Sequence, residues 1–222
     1  MKRNGFLLSA VAAVCVLCLA LGGCSKGNKF IEGNDGRYID NKTKIAYLSA
    51  PACYEPINMG DAVYGELGIT ELYAIEGADP EKWLCETSGS VLYAEGVELP
   101  SLAEMNISYA NIVDNDNAVI TVRDGSVIGE IVKVYTEGAR IRRPMVVESA
   151  YSVNVRIKFA DETIGIYYIL AYVELKEDYT VLNDDGTETN YGKKFIFNRF
   201  DGTCVAAGDV LSGVIQTAEA EE

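Results

Sequence analysis

The clearest pattern in the chain begins at Ser152, where Val153, Val155, Ile157 and Phe159 alternate with Asn154, Arg156 and Lys158. A period of two puts the apolar set on one face and the polar set on the other, which predicts a half-exposed strand. Ala160-Asp161-Glu162-Thr163 predicts a turn, and Ile164 to Leu175 follows as a run that is apolar at odd and even positions alike. A strand of that kind needs cover on both faces. A helix over one face and the first half of the chain over the other would supply it. Lys194 to Phe200 and Thr203 to Ala207, joined through Asp201-Gly202, carry the strongest hairpin signal.

Shorter alternations predict strands at Lys44–Leu48, Ile69–Ile75, Val91–Ala94 and Ala118–Arg123, with Pro51, Pro56 and Gly60 punctuating the interval between the first two. From Val127 the spacing changes. Val127, Ile128, Ile131, Val132 and Tyr135 fall on one face of a helix, which Gly138 is placed to end. The competing reading is a hairpin turning at Asp124-Gly125, because the same residues are largely β-branched. Asp79-Pro80 and Pro100-Ser101 each open a single helical turn, too short to stand without packing on a sheet. Together these elements predict an α+β fold, a β-rich mixed or antiparallel sheet with one main helix and short helical turns. The polar run Asp114-Asn115-Asp116-Asn117 divides a β-rich part, residues 39–113, from an α+β part, residues 114–215. Residues 24–38, rich in Gly, Asn and charge, read as a tether, and 216–222 as a frayed tail.

The first residues have a different character. Lys2 and Arg3 precede an apolar run from Phe6 to Leu21, too short to span a bilayer comfortably but suited to an export signal, and Leu21-Gly22-Gly23-Cys24 closes it. This leader resembles the lipobox of bacterial lipoproteins. The resemblance implies that residues 1–23 are removed, that Cys24 carries a diacylglyceryl thioether, and that the membrane is a partner through that anchor. It places the protein on the outer face of the bacterial cell membrane. At about 0.8 kcal/mol per buried methylene, two acyl chains anchor stably where one does so only reversibly.

Charge narrows the function classes. The net charge of −14 includes Lys2 and Arg3, and without them 17 basic residues face 33 acidic ones. Nucleic acid is an unsuitable partner, because binding phosphates needs clustered cations that release counterions. Histidine is absent, which removes Ser-His-Asp and Cys-His catalysis and His-containing zinc sites. Outside the leader and Cys24, the cysteines are Cys53, Cys85 and Cys204; their wide spacing matches no metal pattern and fits buried thiols, with one disulfide of unspecified pairing plus a free thiol as the alternative. No cofactor is implied.

Arg140, Arg142 and Arg143 stand out in so acidic a chain. Guanidinium groups bind carboxylate or phosphate through paired donors, so the trio is the candidate ligand-binding cluster; the plainer reading is neutralisation of nearby Asp and Glu. Asp114–Asn117 and Asn183–Glu188 offer oxygen ligands but lack the calcium-loop pattern, and local turn hydrogen bonds account for them. Tyr47, Tyr73, Tyr93, Tyr167, Tyr168 and Tyr172 lie on expected strands, where packing explains them. The resulting expectation is a lipid-anchored binding or interaction module for a small molecule or a protein. The alternatives are a hydrolase using two carboxylates on glycans and a structural accessory subunit of an envelope complex.

Overall fold

The computed structural model describes residues 27–114, 117–145 and 150–214. The leader, Cys24 and the tail 216–222 lie outside the described residues, as do Asn115 and Asp116 of the polar run. The first half forms β1 (Asn28–Glu32), β2 (Tyr38–Asp40), β3 (Ala46–Ser49), β4 (Tyr54–Pro56), β5 (Met59–Leu67), β6 (Thr70–Ile75), β7 (Trp83–Glu86) and β8 (Val91–Ala94). The second half forms β9 (Tyr109–Asp114), β10 (Asn117–Val122), helix α1 (Gly125–Glu137), β11 (Tyr151–Asp161), β12 (Ile166–Leu175), β13 (Thr180–Leu182), β14 (Glu188–Asn190), β15 (Lys194–Phe197) and β16 (Cys204–Ala206). Strands hold 46% of the described residues and helix 9%, so the fold is predominantly β and the α+β expectation is corrected.

Seven strands close a barrel in the order β1-β2-β3-β8-β7-β6-β5. Closure comes from a short parallel seam in which Asn28 and Lys29 of β1 lie opposite Gly65 and Glu66 of β5. The tether reading of residues 24–38 therefore fails from Asn28 onward, because Phe30 drops its ring into the barrel beside Tyr47 at a centroid distance of 5.9 Å. Gly65 makes room for it: a β-carbon there would sit 2.4 Å from the Phe30 ring. The interior is completed by Leu72, Leu84, Leu92 and Ala94.

The second sheet runs β10-β9-β11-β12-β15-β16, and β4 pairs with β12 outside that path. The division at Asp114 is thus crossed by β4, a strand of the first half built into the second sheet. The long alternation is confirmed as β11, whose Ile157 and Phe159 are buried and lie opposite Leu170 and Tyr168 of β12. That inner face is covered by α1, through Ile128, Ile131 and Tyr135, and by the outer wall of the barrel, through Ile75, Trp83, Cys85 and Val91. Helix and first half share one face, contrary to the arrangement expected for them. The other face, with Val173, Leu175, Phe195 and Phe197, is covered by Ile141, Tyr151, Tyr179 and Tyr191. A full-length helix there is unnecessary because these loop and hairpin side chains do its work.

The helix reading of residues 125–137 prevails over the hairpin for a local reason. The Asp124 carboxylate accepts the Ser126 backbone N–H at 2.8 Å, an N-cap that a hairpin turn would not need. Gly138 ends the helix in an extended conformation, not a left-handed one, where a β-carbon would meet the Val134 carbonyl oxygen at 2.4 Å. The Asp79-Pro80 turn leads directly into β7, burying Trp83, Leu84 and Cys85.

Candidate functional site

Strand β12 is the structural axis of the site. One edge pairs with β11 along its length, from Leu175 opposite Tyr151 to Ile166 opposite Asp161. The opposite edge is divided: Ile166–Tyr168 pairs with β4 and Ala171–Glu174 with β15. Neither partner fills the interval. Pro51 precedes β4 and Pro56 ends it, so the segment between them supplies only three paired residues and one further bond, from the Ile169 N–H to the Cys53 carbonyl at 2.8 Å. On the other side β15 stops at Phe197, because Asn198 turns the chain: its backbone N–H reaches Thr203 O at 2.8 Å and its side-chain oxygen accepts the Phe200 N–H at 2.8 Å.

The interval is a notch of about 370 Å³. Its floor is Ile169, Leu170 and Ala171; Ala52, Cys53 and Glu55 form one wall, Asn198, Arg199 and Phe200 the other, and Arg156 reaches over from β11. Small side chains at Ala52 and Ala171 keep the space open. Register explains Arg156, which lies directly opposite Ala171 and so shares its face. Phe200 stands at the rim, 61% exposed.

Beneath the notch the polar groups are buried and partnered. Asn198, 2% exposed, donates its amide N–H to the Tyr168 hydroxyl at 3.1 Å. Burial pushes the Cys53 thiol above its ordinary range, with Asn198 pulling weakly the other way and the Asp201 charge adding to the rise. The rise favours the protonated thiol, the less nucleophilic form, at Cys53. Around the mouth, Lys158 forms an ion pair with Glu55, and the Arg156 guanidinium lies 3.7 Å from the same carboxylate. Arg199 donates to the neutral amide oxygen of Asn154 at 3.1 Å. Thus the only carboxylate in the described lining is already held by two cations, while the charge of Arg199 meets a neutral partner.

A second space of about 370 Å³ lies beyond β4, bounded by Tyr54, Pro56 and the Ser88-Gly89-Ser90 turn of the barrel. It shares Ala52 and Glu55 with the notch, so β4 is a narrow strap between the two.

The arginine trio does not converge. Arg140 caps the helix, donating to the Tyr135 carbonyl at 2.8 Å with its guanidinium 5.2 Å from the Tyr135 ring. Such a cation complements the negative end of the helix. Arg143 lies on the opposite face of the sheet, 4.0 Å from the centre of the Phe197 ring, and Arg142 is exposed. Phe197 is the register neighbour of Ala171, so Arg143 stands beside the notch without lining it. The guanidinium groups that line the notch are those of Arg156 and Arg199. The signal for Arg156 was its place in the polar half of the β11 alternation. Arg199 had none beyond its place near the end of the expected strand Lys194–Phe200, which the structure ends at Phe197.

The remaining candidate chemistry resolves simply. Cys53, Cys85 and Cys204 are buried free thiols. The Asn183–Thr187 loop is a turn in which Asp185 accepts the Thr187 backbone N–H at 2.9 Å. Among the described residues, no three or more Cys, Asp or Glu side chains gather as a metal site. Comparison with protein families, curated proteins and solved structures finds no match, so no activity is carried over from a relative.

Proposed function

We propose that this chain is an exported, lipid-anchored binding module that receives a small ligand in the notch between β4 and β15. The observation that carries the reading is the divided edge of β12, which leaves an open cavity of about 370 Å³ in an otherwise packed sheet. That volume lies within the range of small-molecule sites, and its apolar floor with a few polar groups matches their usual make-up. A carboxylate-pair hydrolase finds less support, because the described lining of the notch contains a single carboxylate, Glu55. The anchor rests on the leader and on Cys24.

The site is tested by mapping backbone amide shifts of the full protein in detergent micelles against a mixture of neutral and charged aromatic fragments. Shifts concentrated at Ala52, Cys53, Ala171 and Asn198 support the reading; shifts scattered over the surface or confined to another region overturn it. The anchor is tested in cells. Protein with native Cys24 fractionates with membranes, whereas Cys24→Ala remains unprocessed or is released. Recovery of the variant as cleaved, membrane-bound protein overturns the anchor.

A further inference from the structure

We infer that the notch selects a small anion, a carboxylate or phosphate monoester carried on an apolar body. The inference rests on the notch being the binding site and adds the chemistry of what binds there. Charge in the mouth runs against that of the whole chain. With a net charge of −14 overall, the protein nevertheless gathers Arg156, Lys158 and Arg199 around one carboxylate, Glu55.

Glu55, the carboxylate of the described lining, is engaged with Lys158 and Arg156, so a cation entering the notch meets a compensated carboxylate and two guanidinium groups. Arg199 is different. Among the described residues it makes no ion pair, and its hydrogen bond goes to the amide oxygen of Asn154, which leaves further N–H donors of its planar fork for a carboxylate or phosphate. Asp201 follows in the same loop; one of its carboxylate oxygens accepts the Thr203 N–H at 2.7 Å, and its charge is felt at Cys53 in the wall, but it does not line the notch. The apolar part of the ligand follows from Ile169, Leu170, Ala171 and the rim ring of Phe200, surfaces that give a bare inorganic ion nothing to pack on.

The test uses the full protein in detergent and five probes: phenyl phosphate, benzoate, inorganic phosphate, benzyl alcohol and benzylamine, titrated at one ionic strength and followed by notch amide shifts. Phenyl phosphate or benzoate is expected to bind at least about tenfold more tightly than the alcohol and the amine, and more tightly than inorganic phosphate. Arg199→Gln should weaken that binding about tenfold or more with the thermal midpoint unchanged, and Arg199→Lys should restore part of it. Which of the two anions binds separates a carboxylate site from a phosphate site. Equal binding of benzyl alcohol or benzylamine at the notch overturns anion selection while leaving the binding site in place. So does an Arg199→Gln variant that binds the anions as before. Silence of the notch amides toward all five probes overturns both readings.

Discussion

The barrel and the second sheet solve the same problem by different means. The barrel encloses a small interior, Phe30, Tyr47, Leu72, Leu84, Leu92 and Ala94, and removes its free edges by closure. The second sheet keeps its edges and relies on area: β11 and β12 pair along their length, and both faces of β12 are covered. The two are not independent. Trp83, Cys85 and Val91 belong to barrel strands but pack into the cluster beneath the sheet. The barrel therefore contributes its inside to itself and its outside to its neighbour. The site arises where this sharing is incomplete, at the strap that leaves the barrel's half of the chain to pair with β12.

Removing a fully buried ring from the shared cluster tests that dependence most severely. Phe159 is fully buried, and Phe159→Ala is expected to cost about 3–5 kcal/mol. Hydrogen exchange should then show barrel amides on β6 to β8 losing protection along with the sheet, read beside the fluorescence of the single Trp83. A barrel that stays protected would separate the two regions. A barrel-only lesion is the complement. Gly65→Ala drives a β-carbon toward the Phe30 ring and is expected to cost about 1–3 kcal/mol by overpacking, measured by urea denaturation. Its exchange signature should centre on β1 and β5; an unchanged denaturation midpoint would show that the seam contributes little.

Alkaline titration acts on both regions at once. Burial pushes the Cys85 thiol on the barrel wall and the Cys204 thiol in the sheet up to about 11 from an ordinary 9.0, with Arg143 pulling Cys204 weakly down, and pushes the Tyr54 hydroxyl up to about 12 from 10.0. Each group is held protonated in the fold, while the unfolded chain ionises earlier and binds fewer protons. Their stabilising contribution is complete below about pH 9 and is lost as pH rises toward 12. Thermal midpoints should be level from about pH 6 to 8.5, in a chain without histidine, and fall above that. Barrel and sheet should fall together, and an earlier alkaline transition of one would break the coupling.

Legibility in the sequence followed strand length. In β11, four alternating pairs in succession declare one buried face, and β12 is apolar enough on both faces to announce its cover. The barrel strands gave weaker signals because closure demands irregularity. Strand β5 was hidden by Gly60 and Gly65, and its pairing with β6 shifts register twice between Met59 and Gly65. Strand β1 was read as tether because Asn28, Lys29 and Glu32 surround Phe30, the one residue of the strand that is fully inside. The cover that β12 needs suggests helix, but on one face side chains such as Ile141, Tyr179 and Tyr191 supply it, which leaves the fold predominantly β. At the site, Arg156 was visible as part of an alternating polar face, but its convergence with Arg199 and Glu55 depends on pairings between residues more than forty positions apart. No local pattern reports that. The arginine trio was conspicuous for density alone, and its members serve a helix end and an aromatic ring.

The entry of the chain through β1 has a mechanical consequence. Strand β1 begins at Asn28, so with a lipid on Cys24, as proposed, the chain length between the anchored cysteine and the barrel is roughly 14 Å at most. A pull on that anchor would enter the fold at β1, whose parallel seam with β5 has two paired positions, and not at the strands that frame the notch.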